Sequence, residues 1–107
     1  MKYIIAIDIG GTTFKTGIFS NSLSLVAASN KDKIRHYNGR EEIVAAIINQ
    51  VNTTITENNI KKREIIGLGI ASPGPLKLKE GIILNTPNLP DLQDYKITAD
   101  FSKRLKM

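Results

Sequence analysis

Apolar residues fall along this chain in short, separated runs, and the spacing within each run predicts an element. Tyr3 to Ile9 is almost continuously apolar and β-branched, the pattern of a strand covered on both faces. Phe14 to Ser20 predicts a second strand after a glycine turn, Asn21-Ser22 a further turn, and Leu23 to Ser29 a third strand. Runs this close predict an antiparallel meander. Lys31 to Asn38 is polar and predicts a loop. Asn38, with Glu41 three residues on, has the form of a helix-capping box. Val44, Ile47, Ile48, Val51 and Ile55 then recur at helical spacing as one apolar stripe, which Asn58-Asn59 ends.

The second half repeats the alternation of element types. Ile65 to Ala71 predicts another buried strand, with Gly67 and Gly69 on one face where a neighbouring backbone would approach closely. Ser72-Pro73-Gly74-Pro75 breaks it. Leu76–Leu78 and Ile82–Leu84, joined through Lys79-Glu80-Gly81, predict a small hairpin, and "NTPNLPD" an extended loop. Ile97, Phe101 and Leu105 recur every fourth residue, so a second helix is expected from about Thr98, running off the end of the chain at Met107 with no capping signal. The order β-β-β-α-β-hairpin-α implies an α/β fold with a mixed sheet. That last helix has no following strand, so apolar surface around Phe101 and Leu105 is expected to stay uncovered, and the chain to be a truncated lobe that self-associates.

Composition changes this picture little. The 107 residues are 41% hydrophobic and 23% charged, which is ordinary for one globular domain or part of a larger one. The net charge of +5 would suit an anionic partner, but the lysines are scattered and only three Tyr and three Phe are present for base stacking. A nucleic-acid partner is therefore not expected. Cysteine is absent, which excludes disulfides and thiolate metal sites in this sequence. No run reaches the length of a membrane span, and the start has no cleavable-leader pattern, so the default expectation is a cytoplasmic protein.

One stretch carries chemistry. "AIDIGGTTFKTGIF" puts an acid, Asp8, at the far end of the first strand, where burial is expected, followed by Gly10-Gly11 and Thr12-Thr13. A glycine turn between strands presents backbone N–H groups to one concavity, and the threonine hydroxyls add donors, an arrangement suited to phosphate. Positive φ is expected at Gly10. Asp8 would repel a phosphate unless a divalent cation lay between them, so the pattern points to a metal–nucleotide site. The competing reading is a plain hairpin whose glycines make the turn. The motif is neither a P-loop nor a dinucleotide fingerprint, because no helix follows it.

"DIGGTTFKTGIF" resembles the first phosphate motif of the actin-like ATPase superfamily, and within it of the ROK family (repressors, open reading frames, kinases). "GIASPGPLKLKEGIILNTPNLP" resembles that family's second characteristic stretch. The resemblance implies a ribonuclease-H-like lobe, residues 1–107 being the N-terminal one of two that close over a cleft. It implies an ATP-dependent sugar kinase acting on hexoses or N-acylhexosamines, with Mg-ATP as cofactor and a homo-oligomeric assembly. By the same resemblance Gly10, Gly11, Thr12, Thr13 and Lys15 face the ATP phosphates. Asp8 holds Mg²⁺ through water, and Gly74 and Asn88 lie on the sugar side. Lys15 has an equally good reading as a lysine on a half-exposed strand face.

The family's catalytic aspartate stands in an Asn-Asp pair, and its zinc site uses a His/Cys cluster; this sequence contains neither. The resemblance puts both after Met107. The chain is accordingly expected to hold no catalytic base and no zinc, and to be inactive alone. His36, Asp91 and Asp94 read as surface groups. Two alternatives accompany the kinase: a sugar-responsive transcriptional regulator, whose helix-turn-helix has no room before the first strand here, and a non-catalytic sugar- or nucleotide-binding module.

Overall fold

The computed structural model describes residues 1–72, 76–77, 79–84 and 90–107. Strand β1 (Tyr3–Ile9) lies at the centre of the sheet because both of its edges are paired. It runs antiparallel to β2 (Thr13–Ser20) and parallel to β5 (Ile65–Ala71). The short β3 (Leu25–Ala28) pairs with β2, giving the order β3-β2-β1-β5. This is the mixed sheet that the element order predicts.

Helix α1 (Gly39–Glu57) covers one face only. Ile5, Ile7 and Ile9 of β1 and Phe14, Thr16 and Ile18 of β2 point into it, and Ile43, Val44, Ile47, Val51 and Ile55 answer from the helix; all are buried. Period two meets period 3.6, and the two apolar faces share one core. Truncating a residue as buried as Ile47, at 0% exposure, to alanine would cost about 2–5 kcal/mol.

The expectation that β1 and β5 are covered on both faces is not met. Ile4 and Ala6 are half-buried and Asp8 is exposed, and no residue of β5 is fully buried. The physical reason is that α1 and α2 (Ile97–Leu105) both lie on the same side, α2 packing on α1 and on the short strand Ile82–Ile83. Gly67 and Gly69 likewise meet no close backbone: a Cβ at either would find open space.

Further corrections concern termini and loops. Asn38 does not cap α1 with its side chain; Glu42 accepts the Asn38 N–H at 3.1 Å, while Glu41 is drawn away to Arg104. The segment expected to be loop contains β4 (Asp32–Lys33), which pairs with β2, followed by a 3₁₀ turn over Ile34–His36. Phe101 and Leu105, expected to stay uncovered, are both fully buried, Phe101 packing against the Tyr95 ring at 6.3 Å. Nor does α2 run on through Met107. It stops at Leu105, Lys106 turns left-handed at φ +58, and the Met107 N–H folds back to the Ser102 carbonyl at 3.1 Å. Satisfying that carbonyl closes the helix without the glycine that usually marks such an end.

Strands β6 (Leu76–Lys77) and β7 (Ile82–Ile83) form the predicted hairpin. Ile83 donates its N–H to the Tyr95 carbonyl at 2.9 Å, and a 3₁₀ turn over Pro90–Leu92 precedes that contact. Gly81 at the hairpin turn has φ +67, and its backbone lies against Thr98, so that a Cβ there would fall 2.2 Å from the Thr98 hydroxyl. Glycine is the residue that both the dihedral and the contact admit.

Candidate functional site

The turn between β1 and β2 is short because the strands separate only at its last pair, Ile9 and Phe14. The Gly10 N–H donates to the Thr13 carbonyl at 2.8 Å and closes it. Gly10 does not have the positive φ expected of it, and neither does Gly11. A Cβ on Gly10 would meet only the Thr13 carbonyl, at the ordinary distance of 3.4 Å. Backbone strain therefore does not require glycine at position 10. The N–H groups of Gly11 and Thr12 are engaged by no described residue, and both residues are exposed or half-exposed. Among the described residues they are donors with no partner.

Strand alternation decides where Asp8 points. Its neighbours Ile7 and Ile9 enter the core, so Asp8 stands on the opposite face, and the burial expected for it is absent. Lys15 lies directly across from it on β2, half-buried, on the same open face. Among the described residues the two form no ion pair, and the Asp8 carboxylate accepts no hydrogen bond. A carboxylate, an ammonium, two N–H groups that no described residue engages and the threonines of a glycine turn thus share one end of the sheet.

Behind the turn the structure adds residues that sequence patterns do not flag. Thr16, fully buried, donates its hydroxyl to Gln50 Oε1 at 2.8 Å, and Gln50 Nε2 reaches the Asn30 carbonyl at 3.2 Å. Ile34 donates its N–H to the Thr12 carbonyl at 2.9 Å. These partners are more than a dozen residues from the turn in sequence. No local signal joins them to it.

The remaining expected positions separate. Gly74 and Asn88 lie outside the described residues. His36 is exposed, and its Nδ1 stands 3.2 Å from Asp32. Asp91 and Asp94 are exposed. Asp100 is committed elsewhere, accepting from the Tyr95 hydroxyl and the Arg104 guanidinium. Burial opposes the ionised form of Asp100, but the bonds from Tyr95 and Arg104 prevail and hold its carboxyl below the usual range. The Tyr95 phenol is raised, by burial first and by Asp100 second. Met107, after which the resemblance puts the base, is an exposed apolar residue beside Lys106 and brings no titratable side chain to the site.

A magnesium nucleotide fits this residue set. Among the described residues no three acidic or histidine side chains gather as a metal cage. A hard cation that keeps most of its waters and shares phosphate oxygens needs only a carboxylate such as Asp8. The N–H groups of Gly11 and Thr12 and the threonine hydroxyls match phosphate acceptors.

Comparison with known proteins bears on the family and the fold. The sequence profile of the ROK family matches residues 4–107. The glucokinase of Thermotoga maritima is 29% identical over 101 residues, which cover 94% of this chain and 30% of that protein. The chain thus spans less than a third of this relative's length. A ROK family glucokinase from Streptomyces griseus, solved with glucose and AMPPNP, superposes with a TM-score of 0.81 at 22% identity, over 98% of this chain and 31% of its own. A ROK family transcriptional regulator, a homologue of the E. coli MLC protein, gives a TM-score of 0.82 at 12% identity, over 98% of this chain and 26% of its own. At these identities the two superpositions establish the fold.

Proposed function

The chain belongs to the ROK family, and from that premise we propose that the protein carrying it transfers a phosphoryl group from ATP to a hexose or N-acylhexosamine hydroxyl. The observation that carries the reading is the open end of the sheet, where Asp8 and Lys15 face each other beside the glycine turn and, among the described residues, form no ion pair. Two kinds of relative support it. The Thermotoga glucokinase aligns along 94% of the chain, and the Streptomyces enzyme of the same fold was solved with a sugar and an ATP analogue.

In this reading the N–H groups of Gly11 and Thr12 and the hydroxyls of Thr12 and Thr13 donate to phosphate oxygens. Lys15 adds positive charge beside them. Asp8 holds the cation through water, and Mg-ATP supplies the phosphoryl group when bound. Gly10 leaves space at the mouth of the turn. Gly74 and Asn88 are proposed on the sugar side from the sequence resemblance alone. Phosphoryl transfer also needs a base and a closed cleft that excludes water. The family's Asn-Asp base has no counterpart between Met1 and Met107. The 107-residue chain alone is accordingly expected to be inactive.

The test is a coupled assay of the protein carrying this chain with Mg²⁺, ATP and a panel of hexoses and N-acylhexosamines. Sugar-dependent ADP release supports the kinase. Sugar binding without turnover, together with sugar-dependent DNA binding, would replace it with a regulator, a role found in the same fold.

A further inference from the structure

The polar segment between β3 and α1 closes on itself and grips the glycine turn. Asp32 uses both carboxylate oxygens. Oδ1 accepts the Lys33 N–H at 2.7 Å and faces His36 Nδ1 at 3.2 Å, while Oδ2 accepts the Tyr37 hydroxyl. The Tyr37 ring stands 6.1 Å from that of Phe14, a fully buried residue at the start of β2. The hydrogen bond from Tyr37, more than the neighbouring N–H and imidazole, keeps the Asp32 carboxyl below its usual range and therefore ionised.

The outer side of this knot is matched to the turn residue by residue. Asp32 pairs with Phe14 and Lys33 with Thr13, and the Ile34 N–H donates to the Thr12 carbonyl. Three successive residues at the end of the turn, Thr12, Thr13 and the buried Phe14, are held by three successive residues of the knot. Its polar side chains remain accessible, Asp32 at 32% and His36 at 55%, so the core does not depend on them. A turn built on Gly10-Gly11 has much backbone freedom of its own. An external anchor that removes this freedom before a ligand arrives raises affinity by preorganisation.

We propose that Asp32 and Tyr37 are positioning residues that set the conformation of the Gly10–Thr13 turn and, through it, the affinity for nucleotide phosphates. This rests on the reading of that turn as a phosphate site.

The experiment compares Tyr37→Phe, which keeps the ring on Phe14 and removes only the hydroxyl, with Asp32→Ala, which removes the acceptor. Arg35→Gln, at an exposed neighbour, is the control. Two quantities are read on the protein carrying this chain: amide hydrogen exchange of peptides covering Gly10–Phe14, and Mg-ATP affinity by calorimetry. Where turnover is measurable, the KM values for ATP and sugar are added. Loss of one hydrogen bond to an ionised group should speed exchange there and weaken Mg-ATP binding by about tenfold, leave the sugar KM within about twofold, and make the double variant no worse than Asp32→Ala. A folded Tyr37→Phe protein with unchanged exchange and unchanged Mg-ATP affinity would overturn the proposal. So would faster exchange with unaltered affinity. If the unsubstituted protein turned over no sugar, the kinase reading would fail, while exchange and Mg-ATP titration would still decide the role of Asp32 and Tyr37.

Discussion

Asp8 and Lys15 occupy the same register position on adjacent antiparallel strands, on the face of the sheet that α1 and α2 leave open. Opposite charges so placed usually pair across the ladder. Here, among the described residues, they do not. Both charges remain available to a third group arriving beside the glycine turn.

Because Asp8 is exposed and supports nothing described around it, Asp8→Asn should shift stability by less than about 0.5 kcal/mol. Turnover with Mg-ATP and sugar should nevertheless fall by about two orders of magnitude or more, the loss that follows when a group facing developing charge is removed. Steady-state kinetics beside thermal unfolding checks both halves. Near-normal turnover would return Asp8 to a structural role.

Gly10→Ala is expected to fold, since its Cβ would meet only the Thr13 carbonyl at 3.4 Å and no positive φ is imposed. The added methyl takes space where phosphate oxygens would sit. Mg-ATP affinity should drop while sugar affinity holds, as titration of each ligand would show. Equal loss of both would indicate a general disturbance instead.

Gly81→Ala should behave in the opposite way. Its Cβ would lie 2.2 Å from the Thr98 hydroxyl at a φ of +67. Left-handed strain and overpacking together predict a loss of about 2–4 kcal/mol in denaturant unfolding. Thr98→Ala in the same protein should not restore it, because the Thr98 Cβ itself would be 2.4 Å away.

Arg104 donates to Glu41 at 2.8 and 3.0 Å and to Asp100 at 2.9 and 3.0 Å, tying α2 to the first turn of α1. Arg104 holds the Glu41 carboxyl below its usual range, and Asp32 and Asp100 are also lowered. Groups lowered in the folded state contribute stability that is complete above their unfolded-state values. That contribution is lost as pH falls through the folded-state values. Stability should therefore hold through neutral pH and decline below the ordinary carboxylate range. Arg104→Met should reduce this acid limb by the Glu41 share and part of the Asp100 share, leaving those of Asp32, of Glu64 and of the bond from Tyr95 to Asp100. An unchanged limb in pH-dependent thermal unfolding would refute the assignment.

The surface most exposed to self-association is not the one expected around Phe101 and Leu105, which are buried. Ile66 at 53% and Val26 at 50% exposure stand on the two edge strands β5 and β3. Light scattering of the isolated chain should show association that Ile66→Lys and Val26→Lys reduce. A monomer at high concentration before any substitution would count against it.

Local pattern was enough for much of this protein. β1 and β5 begin and end where their apolar runs do, α1 follows its stripe to Asn58, and "DIGGTT" marks the turn and the acid beside it. These follow from nearest-neighbour chemistry, from period two, period 3.6 and turn residues, which act within a few positions. Tertiary structure decided what depends on which face is covered. With both helices on one side, a run that reads as doubly buried becomes half-open, Asp8 turns outward, and Gly67 and Gly69 face space. Glu41 leaves the capping box for Arg104, 63 residues away. Asp32, Ile34 and Tyr37 reach the turn through a two-residue strand that has no apolar period to announce it. The reason in each case is the same: partner choice across long sequence separations is set by the packing of whole elements, and neighbouring residues carry no record of it.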